Sequence, residues 1–64
     1  MDSYLAETIT FLERKYPFET VFNLAPFFKV HGEVYFLSEF GSLWRLVPVS
    51  FREAPLQIEL QIQF

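Results

Sequence analysis

The 64-residue chain contains no cysteine and one histidine, and it has a formal net charge of −3 with only five basic residues. Disulfide scaffolds and the usual zinc sites are therefore excluded, and a nucleic-acid binder is disfavoured because it needs clustered basic residues. Hydrophobic residues make up 52% of the chain, so we expect a single domain over residues 1–64 that must bury nearly all of this surface to be stable.

The first predicted element is a helix over residues 2–16. Four residues recur at spacings of four, three and four, which places them on one helix face: Leu5, Ile9, Leu12 and Tyr16. Two basic residues near the end of the segment suit the negative end of the helix dipole. Pro17 disfavours helical geometry in the residue before it, so the predicted helix ends at Tyr16.

Residues 17–25 are compatible with two structures. The segment fits a short helix with Pro17 at its first position. It also fits a strand, because Thr20, Val21 and Phe22 are good strand formers. Of the two, we expect the short helix.

Two glycine-containing turns divide the next part of the chain into a three-stranded antiparallel meander. The predicted strands are 27–30, 33–40 and 43–50, and the predicted two-residue turns are His31-Gly32 and Gly41-Ser42. Pro48 has no N–H donor, so the third strand should lie at a sheet edge or be interrupted there.

These turns also predict which side chains share each face of the meander, because side chains alternate along a strand. One face collects Phe28, Val30, Tyr35, Leu37, Trp44 and Leu46, with Glu33 and Glu39 near its ends. The other collects Phe27, Val34, Phe36, Phe40, Leu43, Val47 and Val49, with Lys29, Ser38 and Arg45 among them. Both faces are apolar, so we expect the N-terminal helix to cover one face and the short helix of residues 17–25 to cover part of the other. Together they should leave some apolar sheet surface for another chain or a ligand.

The final predicted strand, residues 56–64, should lie at or near a sheet edge. Five apolar residues alternate with polar ones and are expected to share one face: Leu56, Ile58, Leu60, Ile62 and Phe64. Proline and lysine, which protect strand edges, do not occur in this segment, so its outer edge either stays free or pairs with another chain. The predicted fold is therefore α+β, an N-terminal helix packed on a small antiparallel sheet of three to four strands, formed by a meander over 27–50 and the C-terminal strand 56–64.

No residue pattern indicates catalysis or a bound cofactor. His31 is the only candidate base, and its place in a tight turn indicates exposure to solvent. Gly32 and Gly41 are the only glycines, so no glycine-rich phosphate-binding loop is present. We predict a protein that is not an enzyme and has no catalytic residues, no metal and no cofactor.

Membrane and secretory segments are not indicated either. No stretch approaches 18 uncharged apolar residues, and the first residues, MDSYLAET, include an acid where a signal peptide has basic residues. We expect a cytoplasmic protein that binds neither membrane nor nucleic acid.

The predicted function is that of a small non-enzymatic protein–protein interaction module, an accessory or inhibitory subunit that docks on a larger protein. Its partner would be another protein, a second copy of the chain, or both. The alternative is a dimeric binding module that encloses a small apolar ligand between the helix and the sheet, and a third interpretation is an enzyme with an active site shared between subunits. The candidate interface residues are Tyr35, Phe40, Trp44, Arg45, Ile62 and Phe64. For Arg45 we also consider a structural role, in which its stem packs and its guanidinium extends to water.

Overall fold

One helix and five strands make up the described part of the chain. The structure is a computed structural model, and it describes residues 2–48 and 56–64. The elements are α1 (Asp2–Lys15), β1 (Phe22–Leu24), β2 (Phe27–Val30), β3 (Glu33–Leu37), β4 (Ser42–Pro48) and β5 (Leu56–Gln63). The strands form one antiparallel sheet in the order β1-β2-β3-β4-β5. This confirms the α+β fold of a helix packed on a small antiparallel sheet, with five strands instead of three to four.

The helix α1 ends one residue before the predicted position, at Lys15. The Tyr16 N–H still donates to the Leu12 carbonyl oxygen at 2.9 Å, so the helical hydrogen bonding reaches the predicted end. Leu12 is fully buried, and Leu5, Ile9 and Tyr16 pack against the same core, which confirms the predicted apolar face of the helix.

The short helix predicted within residues 17–25 is wrong. Phe22–Leu24 form the edge strand β1, in which Phe22 pairs with Lys29 and Leu24 pairs with Phe27. An isolated helix of this length is marginal, whereas a strand here gains hydrogen bonds with β2. The turn between β1 and β2 contains the cis peptide bond Ala25–Pro26, and the Asn23 Oδ1 atom accepts a hydrogen bond from the Ala25 N–H at 3.1 Å.

The turn between β2 and β3 is the predicted two-residue turn. Val30 pairs with Glu33, and the φ angles of His31 and Gly32 are +55° and +74°. Two consecutive positive φ angles are what a type I′ turn requires.

The turn between β3 and β4 differs from the predicted Gly41-Ser42 turn. Strand β3 ends at Leu37, and residues 38–41 form the connection, with Gly41 as its last residue at a φ of +87°. The Ser38 hydroxyl accepts hydrogen bonds from the Phe40 and Ser42 N–H groups at 3.3 and 3.0 Å, which stabilises this longer loop. Leu37 therefore pairs with Leu43, not with a residue farther along β4.

This register exchanges the two faces predicted for β4. Trp44 and Leu46, which were expected beside Tyr35, lie on the opposite face, because Phe36 pairs with Trp44 and Val34 pairs with Leu46. Leu43 and Arg45 lie instead on the face that packs against α1. The buried core between helix and sheet consists of Leu12, Phe28, Val30, Tyr35 and Leu43.

Strand β5 lies at a sheet edge, as predicted, but its apolar residues do not share one face. Trp44 pairs with Leu60 and Leu43 pairs with Ile62, so Gln61 has no counterpart in β4 and forms a bulge. Ile58 and Leu60 are exposed on the face away from α1, whereas Ile62 and Phe64 are partly buried against the core. The predicted single apolar face is therefore wrong, because one extra residue reverses the alternation.

Pro48 is the last residue of β4 and pairs with Leu56 of β5. The described pairs between β3 and β4 end at Leu46, so the missing N–H of Pro48 removes no described bond to β3. The end of the predicted third strand, Val49 and Ser50, and the connection 51–55 lie outside the described residues.

Candidate functional site

The candidate site is the sheet face that lies opposite α1, here called the open face. Paired residues of neighbouring strands share a face, so the register places ten residues on it in two rows that cross all five strands. One row is Leu24, Phe27, Phe36, Trp44 and Leu60, and the other is Phe22, Lys29, Val34, Leu46 and Ile58. Nine of these ten residues are apolar.

The apolar side chains at both sides of the open face are largely exposed. Leu24 and Ile58 are 71% and 61% exposed, and Phe22, Leu60 and Phe27 are 59%, 46% and 44% exposed. Residues of the central strands β3 and β4 are covered in part by residues of the neighbouring strands. For example, the ring centroid of Phe36 in β3 lies 5.4 Å from the ring centroid of Phe27 in β2. Contiguous apolar surface of this kind is typical of interaction sites.

Lys29 is the only charged residue among the ten residues of these two rows. Its side chain is exposed, lies between the paired positions Phe22 and Val34, and forms no hydrogen bond or ion pair with any residue that the structure describes. The two acidic residues in the described strands, Glu33 and Glu59, lie on the opposite face, where both contact Arg45. These ten residues thus carry one positive charge and no negative charge, in a chain whose net charge is −3.

A cleft of about 500 Å³ adjoins the open face at the Lys29 end. Its walls include Phe18, Phe22, Lys29 and His31. Phe18 is 97% exposed, and the His31 Nδ1 atom lies 3.6 Å from the Glu19 carboxylate. The cleft therefore offers aromatic surface directly beside the lysine.

On the helix side of the sheet, Arg45 links three strands. Its Nη1 atom lies 3.3 Å from the Glu33 carboxylate of β3, and its Nη2 atom lies 2.7 Å from the Glu59 carboxylate of β5. The hydrogen bond with Glu59 raises the pKa of Arg45, and the same hydrogen bond lowers the pKa of Glu59. This geometry indicates a structural ion cluster, because the guanidinium is already paired within the chain.

A second polar group on the helix side joins two tyrosines. The hydroxyl oxygens of Tyr16 and Tyr35 lie 2.7 Å apart. The Tyr16 ring also stacks on the His31 ring, with 5.2 Å between the ring centroids. Burial of Tyr35 and then its hydrogen bond with Tyr16 raise its pKa far above the ordinary value. These contacts fix the end of α1 to the β2–β3 turn.

The six predicted interface residues occupy different places in the structure. Trp44 lies on the open face and is partly exposed, and Phe40 is 76% exposed in the connection 38–41. Tyr35 is in the core, and Arg45 is held by its two carboxylates. Ile62 and Phe64 pack beside the core, where they line a groove with α1.

Most residues of the open face were not among the predicted interface residues. Phe22 and Leu24 were missed because their segment was assigned to a helix. The strand-forming run Thr20, Val21 and Phe22 was the signal that could have revealed them. Ile58 and Leu60 had been assigned correctly to an edge strand. Apolar and polar residues alternate regularly through Gln61, however, so the sequence does not indicate the bulge that separates them from Ile62.

Comparison with family models, curated proteins and solved structures found no match to the chain. Among residues 2–48 and 56–64, no helix has the length and apolar character required to span a membrane. Histidine and carboxylate side chains in the same part of the chain form no group of three or more that could hold a metal ion.

Proposed function

We propose that this protein is a small non-enzymatic interaction module, a cytoplasmic accessory or inhibitory subunit that docks on a larger protein through the open face. One observation carries the proposal. Helix α1 covers a single face of the sheet, while the other presents five large apolar side chains that are 44% to 71% exposed.

The size of this surface is compatible with a specific interface. At the exposed fractions given above, its large side chains offer on the order of 500 Å² of apolar area. Burying about that much area on each partner would remove about 1,000 Å² of apolar surface from water in total, which is near the lower limit for a specific interface. Polar contacts at the rim would bring the area toward the usual 800 Å² per partner.

The packing on the helix side favours an interaction surface over an enclosed ligand site. Leu12, Phe28 and Tyr35 fill the space between α1 and the sheet and are fully buried. A small apolar ligand between helix and sheet would have to displace these side chains, at about 2 to 5 kcal/mol for each one that leaves its site.

The open face is also a better candidate than the outer edge of β5. The bulge at Gln61 interrupts the regular spacing of outward N–H and C=O groups along that edge. Bulges are one of the devices by which proteins prevent a further strand from pairing. Docking by strand addition would therefore meet an irregular template, whereas the open face is continuous across all five strands.

The test is affinity capture from the native host with three tagged forms of the protein: wild type, Leu24→Glu and Thr10→Glu. Leu24 is 71% exposed, so a charge there disturbs folding little, and Thr10 is an exposed position of α1 away from the open face. We expect one protein to be captured by wild type and by Thr10→Glu and to be lost with Leu24→Glu. Capture of the same proteins by all three forms, with circular dichroism showing each to be folded, would contradict docking through this face.

A further inference from the structure

We infer that the open face receives an amphipathic α-helix of the partner protein, with a carboxylate of that helix placed against Lys29. This inference rests on the proposed function and adds the chemistry of the partner. Three features of the structure support it: the isolated charge of Lys29, the dimensions of the sheet, and the cleft beside Phe18.

The charge of Lys29 on the open face favours a partner protein with a carboxylate over a second copy of the chain. Covering the face removes water from around the Lys29 ammonium, which is costly unless an acceptor or a negative charge replaces that water. A second copy of the chain would present its own open face, which has a lysine and no acid among its ten residues. It would therefore bring a second ammonium and no counter-ion. A partner with a carboxylate in its apolar surface satisfies Lys29.

The dimensions of the sheet fit a helix. The opposite face is covered by α1, a helix of 14 residues and thus about 21 Å long. The open face belongs to the same five strands, and its two rows are spaced about 7 Å apart along the strands. A second helix, about 10 to 12 Å wide and of similar length, would cover both rows and complete a third layer.

The cleft gives the partner helix a fixed position. Phe18 and Phe22 form exposed aromatic walls, and Lys29 lies beside them. An apolar side chain of the partner can pack against these exposed rings. A carboxylate three or four residues away on the same helix face then lies near the ammonium. Charge-assisted hydrogen bonds of this kind are stronger than hydrogen bonds between neutral groups, so Lys29 determines which helices bind.

The probes are three amphipathic helical peptides of about 16 residues. They share one leucine stripe and differ only in the residue at its centre, which is Glu, Gln or Lys. Binding is followed by the fluorescence of Trp44, the single tryptophan of the chain, which lies on the open face. We expect the Glu peptide to bind wild type about tenfold more tightly than the Gln peptide, with the Lys peptide weakest.

Substitutions of Lys29 then test the role of its charge. Lys29→Met should remove the preference for the Glu peptide, and Lys29→Glu should reverse it in favour of the Lys peptide. Lys15→Met is the matched control, because Lys15 lies on α1 and donates a hydrogen bond to Gln61 at 2.9 Å on the other side of the sheet. This variant should keep the wild-type preference. Lys29→Gln serves in place of Lys29→Met if that variant does not fold.

Three results would overturn the inference. The first is equal affinity of wild type for the three peptides, or an unchanged preference for the Glu peptide in Lys29→Met. Either result contradicts the role of Lys29 without contradicting docking through the open face. The second is no binding of any peptide, in which case the capture experiment with Leu24→Glu still decides the proposed function. The third is a dimer in sedimentation whose Trp44 emission shifts to the blue with protein concentration, which identifies a second copy as the occupant.

Discussion

Replacing Gly41 with alanine should destabilise the fold more than the same replacement at Gly32, and the difference measures how tightly α1 is docked. Both glycines have positive φ angles, +87° and +74°. For an L-residue this backbone conformation costs about 1 to 2 kcal/mol at either position. At Gly32 nothing lies within 4 Å of the added methyl group, so the backbone cost is the whole effect.

At Gly41 the methyl group also meets packed atoms. It would lie 3.1 Å from the Tyr4 ring and 3.2 Å from the Phe64 carbonyl oxygen. Overpacking of this kind adds about 1 to 3 kcal/mol. We therefore expect Gly41→Ala to lose about 2 to 5 kcal/mol, from a total that for a domain of this length is roughly 3 to 10 kcal/mol.

The assay is urea denaturation followed by circular dichroism and by Trp44 fluorescence, with the free energy of unfolding obtained by linear extrapolation. In a Tyr4→Ala background the cost of Gly41→Ala should fall, because one of the two crowded contacts has been removed. Equal losses in Gly41→Ala and Gly32→Ala would refute the close packing of α1 on the connection 38–41.

Three further predictions concern pH and the β5 edge. Burial raises the pKa of Tyr35 above its ordinary value of 10.0, so the unfolded chain loses this proton first and stability should decline as the pH rises past about 10. Tyr35→Phe should flatten that decline in urea midpoints measured between about pH 9 and 11. The hydrogen bond from Arg45 lowers the pKa of Glu59, so its contribution is present above the ordinary value of 4.5 and is lost as the pH falls below it. Glu59→Gln should be less stable than wild type at neutral pH, and the gap should close in midpoints measured near pH 3; a constant gap would contradict the ion cluster. The Phe64 N–H donates inward to the Gly41 carbonyl oxygen at 2.7 Å, so the N–H of Gln63 points away from the sheet, and Gln63→Pro should stay folded by circular dichroism. If that variant loses its captured partner while it remains folded, the β5 edge and not the open face is the docking surface.

The parts of the fold that were predicted correctly have local causes. The helix depends on the spacing of Leu5, Ile9 and Leu12, which no other element can match. The β2–β3 hairpin depends on one glycine at a position that needs a positive φ angle. Both signals lie within a few residues of the structure that they specify.

The parts that were missed depend on pairing between segments. Strand β1 has only three residues and exists because β2 offers it hydrogen bonds. At Gly41, a glycine between two apolar runs fits either the first position of a two-residue turn or the last position of a longer loop. The hydrogen bonds of Ser38 select the longer loop, and no periodicity in the flanking strands distinguishes the two.

The same ambiguity limited the prediction of the site. The expectation that some apolar sheet surface would remain agrees with the exposed side chains, because it followed from composition. The second helix that was expected to cover part of this surface is absent from residues 17–25, which the structure describes, since Phe22–Leu24 form strand β1. Which residues form that surface depended on the register of β4. Trp44 was therefore named as an interface residue together with Tyr35, although the two side chains point to opposite sides of the sheet.

The bulge in β5 gives one position of this strand a tolerance for deletion that its neighbours lack. Gln61 is the extra residue between Leu60, which faces away from α1, and Ile62, which packs beside the core under the helix. Deleting Gln61 would place Ile62 directly after Leu60, so Leu43 could still pair with Ile62 and Trp44 with Leu60 in a regular ladder. Insertion or deletion of a residue elsewhere in β5 would instead move part of its apolar side chains to the opposite face of the sheet.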